Sequence, residues 1–282
     1  MYVDGYGFAR CYLTDHAYGV PVDLAQVRRR LPPHTPIIED AAQAWGSGTR
    51  DAPTGSGGEL AVFSFGRGKG ITGGSGGALL VRDSTGDHTS SASPESGPKG
   101  NAAGWRDVAV ALALWTLARP NLYGIPSALP GLRLGETRFK SPRPVGAISR
   151  AAGAIVLATL AEADREAARR RLVANRLRAL IDTTPELSNV RAREDSLPGW
   201  LRLPVLADSV KQRDRLVREG RALGVAAGYP RPLPDLARTL GWQASSGFRG
   251  AEALAARLFT LPTHDCVTDA VFGRLERLIA RH

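Results

Sequence analysis

The sequence predicts a layered α/β protein in two parts, and three observations point there. Over the first 82 residues, short apolar runs alternate with a helical pattern. Residues 145–181 carry apolar positions at helical spacing for much longer than a typical globular helix. Beyond them, short strands and helices alternate again, as a second and smaller α/β domain requires.

The elements follow in chain order. Residues 9–14 (ARCYLT) read as a short buried strand, and residues 22–31 as a helix stopped by Pro32 and Pro33. Residues 36–39 (PIIE) form a second apolar strand that ends on an acid, and residues 60–65 (LAVFSF) a third. A glycine-rich run, GRGKGITGGSGG, follows before residues 78–81 (ALLV) return as a fourth strand. Residues 82–104 are polar and rich in Ser, Gly and Pro, the composition of a surface loop. Residues 105–117 form an apolar helix closed by Arg119-Pro120, and residues 131–144 an irregular crossing. After the long helix come strands at 187–190 and 201–206 and a helix at 209–223. A Pro-rich stretch at 229–234 and helices at 251–258 and 268–279 complete the chain.

Composition narrows the function classes. The chain has 282 residues, 43% of them hydrophobic, enough to bury a core. No apolar run approaches the roughly 18 residues that cross a bilayer, and residues 1–10 lack a signal pattern. A soluble cytoplasmic protein is therefore expected. Cys11 and Cys266 are far apart, which is no disulfide framework, and no metal site is expected. The net charge of +10 would suit a polyanion, but it comes from arginines spread along the chain. The densest run, 165–178, has Ala and Leu on its other face and is expected to be a solvated helix surface rather than a nucleic-acid contact.

Two segments carry chemistry. Glu39-Asp40-Ala41-Ala42-Gln43-Ala44 follows one strand, and Ser64-Phe65-Gly66-Arg67-Gly68-Lys69 follows the next. Acids at the carboxyl ends of strands sit where open α/β sheets bind ligands, and a lysine in the neighbouring turn faces the same crevice. The chain has only four lysines, Lys69, Lys99, Lys140 and Lys211. Lys69 therefore suggests a requirement for an amine, because a guanidinium cannot become a neutral nucleophile. Residues 68–73 match a dinucleotide GxGxxG, but that motif must open a helix and a strand follows here. A phosphate-binding Walker loop fails outright, since Phe63 and Gly70 occupy its required Gly and Ser/Thr positions. The bland alternative is a glycine hairpin with an exposed lysine. Among weaker signals, His16, Tyr229 and His264 read first as satisfied core residues and second as crevice lining, and the tryptophans as packing residues.

The runs IEDAAQA (38–44), FSFGRGKGIT (63–72) and GGSGGALLV (73–81) together resemble the DegT/DnrJ/StrS family of nucleotide-sugar aminotransferases, which use pyridoxal 5′-phosphate (PLP). His16-Ala17-Tyr18-Gly19 with Pro21 and Asp23, Tyr229-Pro230 with Pro232-Leu233, and Leu261-Pro262-Thr263-His264 extend the resemblance over the chain. It implies PLP-dependent transferase fold type I. The large domain would occupy residues 1–144, with a mixed, mostly parallel sheet, followed by a long connecting helix and small C-terminal α/β domain at 145–282. It also implies that the family's first segment, with a Gly-Thr-Ser phosphate loop, is absent from the large domain. Lys69 would hold PLP through its amine, Asp40 would pair with the pyridine nitrogen, Gln43 would hydrogen-bond the phenolic oxygen, and Ser64 would contact the phosphate. The implied reaction moves an amino group from an amino acid, usually glutamate, to a keto-sugar nucleotide for polysaccharide or secondary-metabolite biosynthesis. A homodimer is implied, with no nucleic acid or membrane partner. A second reading is a truncated, catalytically impaired relative with a structural or regulatory role.

Overall fold

The structure is a computed structural model that describes residues 2–3, 9–82, 88–89, 101–117, 146–229, 231–239, 241 and 247–281. The expected crossing at 131–144, most of the expected loop at 82–104, and Pro230 lie outside the described residues. The chain divides into two compact units, one of residues 1–116, 145–171 and 192–201, the other of residues 117–144, 172–191 and 202–282. No described helix is long and apolar enough to cross a membrane.

The first unit is built on a six-stranded sheet. Its strands are β1 (Tyr2–Val3), β2 (Ala9–Asp15), β3 (Ile37–Asp40), β5 (Leu60–Ser64), β6 (Gly77–Arg82) and β7 (His88–Thr89), in the order β1-β2-β3-β5-β6-β7. β4 (Gly48–Thr49) pairs separately with β9 (Ser196–Leu197). The parallel character expected from the sequence is confined to the centre, where β2, β3 and β5 run parallel. β1, β6 and β7 add antiparallel pairings at the flanks. β7 lies within the stretch expected to be a loop.

Helix α1 (Leu24–Arg30) carries the chain from β2 to β3. The Asp23 carboxylate caps it by accepting the Gln26 N–H at 2.9 Å, and Pro32 bars its continuation. The β5–β6 connection is the glycine-rich run, and it feeds an antiparallel strand rather than a helix. α2 (Asn101–Leu117) begins inside the stretch expected as a loop. Its Asp107 is buried and accepts the hydroxyls of Ser75 and Ser149. Ser149 in turn caps α3 (Arg150–Asp182) by accepting the Ala152 N–H.

Small residues let the site loops lie directly on α3. A Cβ at Gly73 would stand 2.7 Å from the Ala152 carbonyl oxygen, and one at Gly46 only 2.4 Å from the Ala167 Cβ. Ile71, Val156 and Ala163 form the resulting core, with Trp45 and Phe65 packed against it. This crowding corrects the expectation of a uniformly solvated arginine run. Arg165 does sit at the surface with Glu162, but Arg170 is buried beside Glu166, and Arg171 donates to the Gly46 carbonyl at 2.9 Å. The tryptophans also diverge, with Trp200 buried and Trp105 75% exposed.

The second unit holds an antiparallel sheet of β8 (Leu187–Asn189), β10 (Leu203–Ala207), β11 (Ala226–Ala227) and β12 (Leu258–Leu261), in the order β11-β12-β10-β8. α4 (Val210–Gly220), α5 (Leu233–Thr239), α6 (Arg249–Arg257) and α7 (Asp269–Ile279) accompany it. Leu203, Phe259, Leu261, Leu275 and Ile279 are fully buried. Arg176 ties α3 to α7 through Asp269 at 2.9 Å and lies over the Phe272 ring.

Candidate active site

Three parallel strands deliver the site residues to their carboxyl ends. In the register of the sheet, Asp15 stands opposite Asp40, and Asp40 opposite Val62. Opposed residues of neighbouring strands share a face, and the side-chain period of two puts Ser64 on that face as well. This face is open, with Leu13, Val62 and Leu79 exposed by 50, 40 and 45%. Lys69 follows Ser64 in the glycine loop. The Ser64 hydroxyl accepts the Gly66 N–H at 3.3 Å, and Gly68 turns the chain with a left-handed φ of 70°. No heavy atom lies within 4 Å of where a Gly68 Cβ would be, so that glycine answers the backbone turn rather than a steric neighbour.

Electrostatics tie the lysine to the acids. Burial lowers the proton affinity of the Lys69 amine below the ordinary lysine value, while Asp40 and Asp15 pull it back up. The lowering prevails, so the amine deprotonates more readily than a surface lysine while its ammonium form still faces two carboxylates. Lys69 is half-buried rather than merely exposed, and the charges of Asp40 and Asp15 act on it, unlike the lysine of a bland hairpin. Asp40 accepts the Ala42 N–H at 3.0 Å. Gln43 accepts the Tyr18 N–H at 3.1 Å through Oε1, so its donor capacity resides on the amide nitrogen. Asp40, Ser64 and Lys69 are thus gathered at one sheet edge, and Gln43 lies in the turn that leaves it.

The opposite face of the same strand ends is closed. Glu39 and His16 are fully buried there, joined Oε2 to Nε2 at 2.9 Å. His16 Nδ1 accepts the Val22 N–H at 3.0 Å, so Nε2 carries the proton and donates to the carboxylate. Glu39 also accepts the N–H groups of Gly55, Gly57 and Gly58 at 2.8, 2.8 and 2.6 Å. Burial pushes its carboxyl up, but the bonds from His16, Gly55 and Gly58 overrule burial and hold it below the usual carboxylate range. His16 is accordingly a satisfied core residue. Tyr229 and His264 belong to the second unit.

Asp15 escaped the sequence reading because its strand was expected to end at Thr14. The available signal was the one used for Asp40, an acid closing an apolar strand. Although Asp15 is exposed, its carboxyl is pushed up to about 6, first by the hydration its neighbours displace and then by Asp40, with His16 and Lys69 pulling it down.

The residues present fit PLP: an amine of lowered proton affinity, a carboxylate at the strand end, a hydroxyl next to backbone N–H groups, and an open face between them. Comparisons with known proteins agree. The family model of the DegT/DnrJ/EryC1/StrS aminotransferases matches residues 10–103 and 146–275. The dTDP-3-amino-3,4,6-trideoxy-alpha-D-glucose transaminase of Streptomyces venezuelae is 41% identical over 76 residues, 26% of this chain and 20% of that protein. A DegT/DnrJ/EryC1/StrS aminotransferase from Brucella abortus superposes with a TM-score of 0.63 at 18% identity, over 95% of this chain and 63% of the other. The sugar aminotransferase CalS13 of Micromonospora echinospora gives 0.65 at 20% identity, over 96% of this chain and 67% of the other. The chain therefore spans about two thirds of the length of these solved relatives, whose fold it shares. With the family model matched over most of its length, this chain belongs to the DegT/DnrJ/EryC1/StrS aminotransferase family.

Proposed function

We propose that the protein is a PLP-dependent aminotransferase that moves an amino group from an amino acid, glutamate being the expected donor, to a keto-sugar nucleotide. The observation that carries this reading is Lys69, half-buried, lowered in proton affinity, and set against Asp40 and Asp15 at the carboxyl edge of parallel strands. When bound, PLP supplies an electron sink for the bond broken at the substrate carbon. The chain's residues supply the rest. Asp40 would accept the hydrogen of a protonated ring nitrogen and hold that charge in place, the Gln43 amide nitrogen would donate to the phenolic oxygen, and the Ser64 hydroxyl would donate to the phosphate. Lys69 Nζ would hold the cofactor and, when free of it, would serve as general base and then general acid, moving a proton between the substrate carbon and the cofactor, a task suited to an amine of lowered pKa. The working unit in this proposal is a homodimer, which light scattering would test.

The experiment is borohydride trapping followed by peptide mass spectrometry. The peptide containing Lys69 should gain one phosphopyridoxyl group after incubation with PLP, and the Lys69→Ala protein should gain none. A modification confined to Lys99, Lys140 or Lys211, or no modification at all, overturns the assignment. A panel of keto-sugar nucleotides with glutamate, scored by 2-oxoglutarate release, tests the substrate class.

A further inference from the structure

We propose that Asp15 is a second carboxyl at the ring-nitrogen end of this site, a positioning residue that holds a proton against the neighbouring charge of Asp40 and releases it when a protonated pyridine docks. The inference rests on the cofactor reading above and adds to it a residue and a proton.

The geometry comes from the sheet. Asp15 and Asp40 are the last residues of adjacent parallel strands and are register partners. Neighbouring strands lie about 4.8 Å apart, so two carboxyls on one face at one register cannot both ionise without mutual repulsion. The alternation of faces excludes other partners on β2 and β3: Thr14, His16 and Glu39 are buried on the far side. The charged groups that act on Asp15 are Asp40 from β3, Lys69 from the loop after β5, and His16 beside it in the chain. The charges of both acids act on Lys69.

The midpoint near 6 for Asp15 sets the window. Below it Asp15 holds a proton; above it Asp15 and Asp40 form a doubly charged pair that Lys69 partly offsets. A ring nitrogen bearing a proton favours the doubly charged form, and by linkage the doubly charged form favours the ring. Affinity for a pyridinium should therefore rise with pH through the window. No oxidant, reductant or other reactant is involved; one proton leaves Asp15 for solvent.

The test uses pyridoxine 5′-phosphate, which has no aldehyde and leaves Lys69 uncombined. Its dissociation constant is measured calorimetrically at about pH 5 and pH 7 for the wild type and Asp15→Asn. The ligand's own titrations are common to both proteins and cancel in the comparison. Release of one proton predicts that the wild type gains about tenfold more affinity over this interval than the variant. Parallel profiles overturn the proposal. The second arm needs no ligand: the 13C titration of the Asp15 carboxyl should have its midpoint near 6 and fall in Asp40→Asn. A midpoint of about 3.9 that Asp40→Asn leaves unmoved overturns the pairing itself. If the acids titrate as a pair but the wild type binds no pyridoxine 5′-phosphate, the cofactor reading fails and the proton release fails with it. If borohydride trapping labels Lys69 and the profiles are still parallel, only the role of Asp15 fails.

Discussion

Glu39 and Asp40 are consecutive acids at the end of one strand, yet the sheet gives them opposite tasks. Glu39 points into the closed face, where it accepts from His16 and three backbone N–H groups and is fully buried. Asp40 points to the open face, where it meets a second acid and a lysine. On the closed face every charge is answered by the protein, so the arrangement is stable in itself. On the open face two acids repel one another and act on one amine, so charge is left only partly answered there. The difference teaches that a satisfied carboxylate holds the fold together, whereas a crowded one is held in place by the fold.

Substitutions on the two faces should therefore differ in kind. The largest effect is expected at Lys69: Lys69→Ala should abolish transamination and cofactor retention while the denaturation midpoint stays within the error of the wild type, read by coupled assay and urea titration. Full turnover in that variant would break the open face as a site. Next comes Glu39→Ala on the closed face. It strands His16 and three N–H donors in the interior and should cost about 3–5 kcal/mol of unfolding free energy. The pH profile sharpens this. The folded-state pKa of Glu39 lies below its ordinary 4.5, so its stabilisation is complete above that value and lost as pH falls through the folded pKa. Acid unfolding monitored by circular dichroism should show a loss in the wild type that Glu39→Ala no longer shows.

Asp40→Ala should lose about 10- to 100-fold in PLP affinity, the worth of a hydrogen bond to a charged group, at little cost in stability. The smallest effect, and the one of opposite sign, belongs to Asp15. An acid whose folded pKa is raised destabilises the native state as pH climbs from the unfolded 3.8 through about 6. Asp15 is exposed to solvent, which limits the effect. Asp15→Asn should thus be more stable than the wild type at pH 7, with the gain gone below about pH 4. A loss of several kcal/mol in urea titrations would place Asp15 with Glu39, among the residues that hold the fold.

Elements of strong local character were legible in the sequence. The glycine run around Lys69 had to turn, the apolar strands before it had to be buried on at least one face, and the 33-residue α3 showed its period over nine turns' worth of chain. β12 was not legible. Residues 251–258 were expected to be helical throughout, and the helical pattern of AEALAARL runs without a break into LFTL. The chain leaves the helix after Arg257 because Leu258–Leu261 fills the slot between β10 and β11, where all four residues are buried. α5 was hidden for a different reason. It begins inside a Pro-rich stretch, but Pro234 sits in the first turn, where its missing N–H costs no helical bond. Arg170 looked like its neighbours in an arginine run and proved buried, because small residues in loops more than ninety positions away bring the chain against that side of the helix.

The amino acids alone set which chemistry was on offer: one amine in a glycine loop, acids at strand ends, a hydroxyl and an amide within reach. Side-chain chemistry and short-range turn preferences belong to residues and their immediate neighbours, and need no partner to be read. Which acid serves which face was left to the folded sheet. That choice depends on the register between strands some twenty-five residues apart in the chain, and a slip of a single residue would have exchanged Glu39 for Asp40 and His16 for Asp15.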